Sequence, residues 1–308
     1  MSPLNINQRD FLKGAASVVA SAGILNSPVL AEEGQMKTKL RKAITLEMLP
    51  TSETSAEPHS LLDVDKLKLA RACGFEGVEI RPIADMADAV KFGKIAKEIG
   101  VPVHSVNAGG WNFPLSDPNP DVVKKGLVIT ENALQCAKAT GADSVLLVPA
   151  VIKKEVNYAD AYKRSQDNIR KLIPTAKETG VIIAVEYVWN KFLLSPLEFA
   201  RYIDEFESKW VRAYLDVANV AHNGYPQHWI EILNKRIIKI QFKEYKSLKE
   251  KGYEWPNLRE GDIDWPKVRQ AIEKVGYSGF VTAEMPATRD KAYLQDLSHR
   301  MDLIIEGK

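Results

Sequence analysis

Cysteine is scarce in this chain, and its scarcity narrows the classes of protein to consider. Only Cys73 and Cys136 occur among 308 residues, and they form no CxxC pair. A disulfide framework and a cysteine-based zinc site are therefore disfavoured, and we expect both thiols to pack as small buried hydrophobes. The chain also lacks an excess of one charge, because it has 42 Lys and Arg and 40 Asp and Glu, which gives a net charge of +2. Since no basic stripe is interleaved with aromatics, we expect neither a nucleic-acid nor an anionic-membrane partner.

A long hydrophobic run is also missing near the N-terminus, where the apolar residues 14–25 are too few to span a bilayer as a helix. This run follows Arg9 in the segment Arg-Asp-Phe-Leu-Lys and precedes small residues that end at Ala31. The pattern resembles a twin-arginine export signal with Gln8 in place of the first arginine. We therefore predict a signal at residues 1–31, a linker at 32–41, no stable membrane anchor and a periplasmic location. A cytoplasmic protein with a disordered amphipathic tail is the alternative if the signal does not function.

One unit repeats from Lys42 onward: a short apolar strand, a turn, an amphipathic helix and a glycine. Glycine just past a helix takes the left-handed conformation that ends the helix without steric penalty, as expected at Gly100, Gly141 and Gly180. The strands are near-continuous runs of Val, Ile, Leu and Ala, which is typical of parallel strands buried on both faces. The pattern predicts eight strands, at residues 42–49, 77–80, 102–106, 144–148, 182–188, 211–217, 237–242 and 279–283.

Eight parallel strands with a helix between each pair predict an α/β fold of the (β/α)8, or TIM, barrel type. The chain length suits one large hydrophobic core, and no Pro/Ser-rich tract divides residues 42–308, so we predict a single domain. No G-x-G-x-x-G follows the first strand, which disfavours a dinucleotide-binding doubly wound sheet.

Polar residues end four of the apolar strands in the second half of the chain: Glu186, Asp216, Gln241 and Glu284. In a (β/α)8 barrel the active site lies at the C-terminal ends of the strands, so we expect these side chains to converge at one rim. Three acidic groups at one rim repel each other unless a cation lies among them. The alternative interpretation is that each side chain caps the helix that follows its strand.

Four short motifs lie in the second half of the chain: Val-Glu at 185–186, Leu-Asp at 215–216, Gly-Asp-Ile-Asp-Trp at 261–265, and Gly-Tyr-Ser-Gly at 276–279 before Glu284. In these motifs the chain resembles the xylose-isomerase-like TIM-barrel superfamily. The resemblance covers residues 42–305 and is strongest to the sugar isomerase and epimerase branch that includes the ketose 3-epimerases.

The resemblance implies that Glu186, Asp216, Gln241 and Glu284 bind one divalent metal ion, and that the two glutamates are the catalytic acid and base. It also matches Lys243 to a family lysine, whose charge would stabilise a developing oxyanion. A solvated lysine at the rim is the alternative. Gln241 departs from the family, which usually has histidine at this position. The resulting all-oxygen ligand set suits magnesium, manganese or calcium better than zinc. We expect manganese or magnesium, with cobalt or zinc as alternatives, and weaker binding or loss of the metal is a further alternative.

The chemistry implied by the resemblance is removal of a proton next to a sugar carbonyl. A metal that holds the carbonyl and its neighbouring hydroxyl lowers the energy of the enediolate that forms. Two carboxylates on opposite faces of the sugar would epimerise it, whereas moving the proton to the adjacent carbon would interconvert aldose and ketose.

Seven further residues are candidates for substrate binding, because sugar sites combine an aromatic face with a few hydrogen-bonding groups. They lie at or after the predicted strand ends: Glu79, His104, Asn107, Trp111, Trp189, Asn219 and His222. A structural histidine is the alternative for His104, and loop packing is the alternative for the two tryptophans.

Three other functions are alternatives to the isomerase or epimerase. A lyase or dehydratase acting on a keto-sugar or keto-inositol uses the same metal and the same proton removal, and sequence does not separate it from an epimerase. A non-catalytic sugar-binding barrel is favoured only by Gln241. The abasic-site endonucleases of the superfamily need a histidine-rich multi-zinc site, and five histidines in this chain disfavour them. We expect a small sugar as the binding partner. The sequence leaves open whether the chain forms a homo-oligomer.

Overall fold

Eight parallel strands close into a barrel in the computed structural model, which describes residues 36–50, 63–248, 251–285 and 290–308. The strands are β1 (Leu40–Thr45), β2 (Gly77–Ile80), β3 (Val103–Gly109), β4 (Ser144–Leu147), β5 (Ile182–Glu186), β6 (Val211–Asp216), β7 (Ile237–Phe242) and β8 (Gly279–Ala283). They follow one another around the barrel in chain order, and β8 pairs with β1, with Gly279 opposite Leu40. The predicted (β/α)8 barrel is confirmed, and residues 36–308 form one compact unit.

Helices connect the strands on the outside of the barrel. Those of the described residues are α1 (Val64–Ala72), α2 (Met86–Ile99), α3 (Pro120–Thr140), α4 (Tyr158–Thr179), α5 (Pro196–Asp204), α6 (Val217–Ala221), α7 (Pro226–Leu233), α8 (Trp265–Val275) and α9 (Lys291–Ile305). Asn119 and Asn157 cap α3 and α4 by accepting backbone N–H groups of the first turn. The glycines predicted to end α2, α3 and α4 have φ angles of 88°, 83° and 74°. Within the described ranges, no helix combines the length and apolarity needed to cross a membrane.

The barrel begins before Lys42, because the predicted linker already enters the first strand. Leu40 and Arg41 pair with β8, and the backbone N–H groups of Lys37 and Thr38 donate to Glu273 over 2.7 and 3.0 Å. The C-terminal boundary of the predicted linker at residue 41 is therefore wrong. The predicted export signal at residues 1–31 lies outside the described residues.

A small antiparallel hairpin follows β7, in which Lys246–Ser247 pairs with Tyr253–Glu254. The sequence does not predict this hairpin, because strands of two residues are too short to show a hydrophobic period. The hairpin matters because it brings aromatic residues to the rim of the barrel.

Side chains that point into the barrel alternate with side chains that face the helices. Tyr214 points inward, since its hydroxyl lies 2.9 Å from a carboxylate oxygen of Glu79 on the distant strand β2. With Leu146 and Ala184 it forms an apolar cluster separate from the main core. The same alternation directs Glu186, two residues after Ala184, to the interior at the rim.

Candidate active site

Glu186, Lys243 and Glu284 lie at the C-terminal rim of the barrel. Glu186 ends β5, Lys243 directly follows β7, and Glu284 directly follows β8. All three line one cavity of about 670 Å³, together with Asn219 from the short helix α6. The structure therefore brings the predicted acid, base and lysine to a common cavity.

Lys243 is the cation of this group. Its Nζ lies 3.3 Å from Oε2 of Glu284. Burial alone would lower the pKa of Lys243, but the nearby carboxylates of Asp216, Glu284 and Glu186 outweigh it and raise this pKa above its usual value. Lys243 is thus a charged amine held among acids, and the alternative of a solvated rim lysine does not apply.

Glu186 is almost completely buried, with 5% of its surface exposed. Its Oε1 accepts a hydrogen bond of 3.0 Å from the side-chain amide of Asn219. Burial, and then the negative charges of Glu284 and Asp216, raise the pKa of Glu186 well above its usual range. The mutual effect of these three acids agrees with the predicted convergence of charge at the rim.

Asp216 serves partly as a helix cap. Its Oδ1 accepts the backbone N–H groups of Ala218 and Asn219 over 2.7 and 2.9 Å, so the capping interpretation holds for one of its oxygens. Its Oδ2 is buried and has no hydrogen-bond partner. Burial raises the pKa of Asp216 to about 7, although the charge of Lys243 lowers it.

Gln241 is the residue directly opposite Asp216 in the pairing of β6 with β7. Its amide nitrogen donates to Oε1 of Glu79 over 3.2 Å. Its carbonyl oxygen is buried and, like Oδ2 of Asp216, has no hydrogen-bond partner. Two buried acceptors without donors therefore occupy neighbouring strand positions.

These two oxygens test whether the predicted ligands suit a metal ion. A buried oxygen without a donor is satisfied by a cation that prefers oxygen ligands. Across the described part of the chain, however, no three His, Cys, Asp or Glu side chains are arranged to hold a metal ion, and Glu284 contacts Lys243. The donor chemistry of Asp216 and Gln241 fits a divalent cation, whereas the predicted four-ligand set is not assembled around one point in this arrangement.

Glu79 lies inside the barrel below the rim, and it is not among the residues that line the cavity. It accepts hydrogen bonds from the Tyr214 hydroxyl and from Gln241. Burial raises the pKa of Glu79 to about 7, with a further contribution from the charge of Glu284. The structure therefore places Glu79 in contact with Gln241, and not at the cavity wall where the predicted substrate would lie.

His104 also lies away from the cavity. Its Nε2 is 3.0 Å from the hydroxyl of Thr282, and its ring stacks on Phe280 with centroids 4.6 Å apart. Burial, and then the charges of Lys239 and Arg41, hold the pKa of His104 well below its usual value. The predicted β3 ended at residue 106, but β3 continues to Gly109, so His104 lies near its start. This position favours the structural alternative for His104, whose Nδ1 is buried without a hydrogen-bond partner.

The other substrate candidates divide by position. Asn107, Trp111, Trp189 and Asn219 line the cavity. His222 does not line it, since it lies outside on the ring of Trp189 with centroids 4.4 Å apart. The structure thus places four of the seven predicted contacts at the cavity wall.

An aromatic cluster surrounds Trp189 at the rim, and the sequence analysis missed most of it. The centroids of the Tyr253 and Trp255 rings, from the hairpin and just after it, lie 4.4 and 5.0 Å from that of Trp189. Nζ of Lys243 lies 4.6 Å from the centroid of Trp255, a cation–π contact. The closely spaced Tyr245, Tyr253 and Trp255 were the available signal in the sequence.

The fold and the site define a (β/α)8 barrel with acidic side chains at the C-terminal rim. A family model described as "Xylose isomerase-like TIM barrel" matches residues 67–303, and the chain belongs to this family.

Two kinds of relative were found. A Haemophilus influenzae protein named after L-ribulose-5-phosphate 3-epimerase activity is 23% identical over 177 residues, which span 54% of this chain and 62% of that relative's length. The structure of an L-ribulose 3-epimerase has a TM-score of 0.72 at 18% identity, covering 87% of this chain and 95% of the other. An IolI structure with a bound zinc atom has a TM-score of 0.69 at 16% identity, covering 86% and 98%. At such identities the structural likeness shows the fold.

Proposed function

We propose that this protein is an epimerase or isomerase that acts on a sugar by removing the proton next to a carbonyl, through an enediolate. The observation that carries the proposal is that Glu186 and Glu284 line one cavity from β5 and β8, with Lys243 beside them. Three strand steps separate β5 from β8 around the ring of eight. A sugar between these strands would have a carboxyl group on each side.

Each side chain has a role in this reaction. One glutamate takes the proton from the carbon next to the carbonyl, and the other returns a proton to the opposite face. Asn219 holds Glu186 through the hydrogen bond to Oε1. The ammonium of Lys243 offsets the negative charge that develops on the substrate oxygen.

We further propose that the reaction uses one divalent cation, held by the buried oxygens of Asp216 and Gln241, with Glu186 and Glu284 completing the ligand set once the cation draws their side chains towards it. Bound there, such an ion supplies positive charge to the carbonyl and hydroxyl oxygens of the sugar. The support is the pair of buried oxygens of Asp216 and Gln241 that lack donors, together with the zinc in the related IolI structure. Oxygen ligands favour manganese or magnesium.

Proton exchange tests the proposal directly. Ketoses incubated with the protein in deuterated water, with Mn²⁺ or Mg²⁺, are expected to gain deuterium at the carbon next to the carbonyl. NMR of the products then distinguishes an epimer, an isomer and an elimination product. Absence of deuterium from a broad set of ketoses and keto-glycosides would contradict the proposal.

A further inference from the structure

The cavity has two parts with different chemistry. One part contains the rim carboxylates and Lys243. The other extends between the loop after β3, helix α3 and the end of β4, and we name it the far chamber. The far chamber is lined by the apolar side chains of Trp111, Phe113, Ile129 and Val148, with the polar side chains of Asn112 and Thr130 among them.

The wall of the far chamber keeps apolar surface exposed. Trp111 is 47% exposed and Ile129 is 36% exposed, and they are among the large apolar side chains that the fold leaves uncovered. Apolar surface on a concave wall is typical of a pocket that receives an apolar face of a ligand. The far chamber therefore favours a group with a broad uncharged face.

Positive charge is scarce on the described residues of the cavity wall. They include two cations, Arg81 and Lys243. Lys243 already contacts Glu284 at 3.3 Å. The guanidinium of Arg81 lies 3.7 Å from Glu47, and its side chain is 71% exposed. A phosphate group is usually bound by several charge-assisted hydrogen bonds. The described wall of the far chamber includes no cation, and the nearby ammonium of Lys125 lies over the ring of Phe113, 5.5 Å from its centroid.

The chamber is held open by close backbone packing. A Cβ on Gly126 of α3 would overlap the carbonyl oxygen of Phe113, and a Cβ on Gly110 would overlap that of Val148. These glycines let the loop after β3 lie directly against α3 and β4. The wall is therefore pre-formed by packed backbone.

We propose that the substrate is a keto-sugar carrying a second, uncharged ring, with its carbonyl part at the carboxylates and the second ring in the far chamber. This inference rests on the proposed function and names the substrate class for the same site. The second ring is a further sugar or an aromatic group, since either presents an apolar face to Trp111. A sugar phosphate is the alternative class.

Four ketoses that differ only at O6 separate these classes: D-fructose, D-fructose 6-phosphate, isomaltulose and 6-O-benzyl-D-fructose. Deuterium exchange is measured for each with Mn²⁺ present. We expect kcat/KM to be at least about tenfold higher for isomaltulose or the benzyl ether than for D-fructose, consistent with one good ring contact. Whichever of the two is preferred identifies the second ring as sugar or aromatic. Equal or faster exchange with the 6-phosphate would overturn the inference.

Trp111→Ala is expected to remove most of this preference, because it should lower kcat/KM for the ring-bearing ketose more than for D-fructose. Trp111→Phe keeps an aromatic ring at this position and should retain part of the preference. Tyr225→Ala is the matched control, because Tyr225 is 66% exposed and does not line the cavity. It should leave all four rates unchanged. A preference that survives Trp111→Ala in a folded variant contradicts the far chamber as its source.

A binding experiment tests this inference independently of the proposed reaction. Benzyl β-D-glucopyranoside and methyl β-D-glucopyranoside are titrated against the protein and followed by saturation-transfer NMR. We expect the benzyl compound to bind more tightly and to lose that advantage in Trp111→Ala. If no ketose gains deuterium but this difference appears, the proposed reaction fails and the ring subsite stands. If the two glucosides bind equally, the subsite fails whatever the reaction.

Discussion

Gln241 donates a hydrogen bond from its amide nitrogen to Oε1 of Glu79 over 3.2 Å, across the interior of the barrel. When Glu79 is ionised its carboxylate only accepts, so this contact then fixes which end of the amide faces Glu79. The carbonyl oxygen of Gln241 is consequently turned away, beside Asp216 on the neighbouring strand. Glu79 therefore orients the residue that stands where the family usually has histidine.

Glu79→Ala should weaken Mn²⁺ binding by about 10–100-fold, the range found when a partner of a metal ligand is removed. The amide of Gln241 would then lose the contact that orients it. Glu79→Gln is the control, because its side-chain oxygen can still accept from Gln241. Affinity is measured by calorimetry or by Mn²⁺ electron paramagnetic resonance. Unchanged affinity in the alanine variant would show that Gln241 needs no such support.

Glu186→Gln and Glu284→Gln should each lower kcat by about 10²–10⁴-fold, as expected when a general acid or base is lost. Each glutamine keeps a ligand oxygen, so metal content should fall less than in Asp216→Ala. Steady-state kinetics and elemental analysis of the purified variants check both statements. Normal turnover in the two glutamine variants would refute the acid–base assignment.

Gln241→His should tighten binding of Zn²⁺ relative to Mg²⁺, because imidazole is a softer donor than an amide oxygen. Competition between the two ions, followed by elemental analysis, measures the change. Gln241→Glu is a useful comparison, since it keeps an oxygen ligand and should not favour zinc in the same way. If Gln241→His leaves the affinity for Zn²⁺ unchanged, the side chain at position 241 does not contact the ion.

The metal-free protein should lose stability as the pH rises from about 4 to about 7. Burial raises the pKa of Glu79 from 4.5 and that of Asp216 from 3.8, in each case to about 7. In this window the folded protein keeps protons that the unfolded chain releases, so ionisation favours unfolding. At about 1.4 kcal/mol per pH unit, the upper bound is about 3.5 kcal/mol for Glu79 and about 4.5 kcal/mol for Asp216.

Urea unfolding in the presence of EDTA at pH 5 and pH 8 measures this effect. Glu79→Gln should make the dependence shallower, because it removes one of the buried carboxyl groups whose pKa is raised, which also include Asp216 and Glu186. A metal-free protein that is more stable at pH 8 than at pH 5 would contradict the expectation.

Export is a prediction from residues 1–31 alone. Cell fractionation in a host with a twin-arginine pathway should find the protein outside the cytosol, beginning at Glu32. Changing Arg9 to Gln should keep it in the cytosol. Recovery of wild-type protein only from the cytosol, with Met1 retained, would rule out a cleaved signal.

The sequence by itself determined the barrel and the strand-end residues of its rim. Apolar runs long enough for a strand, each followed by a helix and a glycine, leave few arrangements other than a closed parallel barrel. A polar residue at the end of such a run then has to lie at the C-terminal rim. That reasoning was sufficient for Glu186 and Glu284, which both line the cavity.

Only the tertiary structure decided which of these side chains meet. The contact of Gln241 with Glu79 joins residues 162 positions apart in the chain. The strands of the hairpin that carries Tyr253 are too short to show a hydrophobic period in the sequence. His104 shows the limit most clearly, because three additional residues in β3 move it from the expected rim to the start of the strand. Hydrophobic periodicity determines which residues form a strand, whereas strand length and register determine how deep each side chain lies in the barrel.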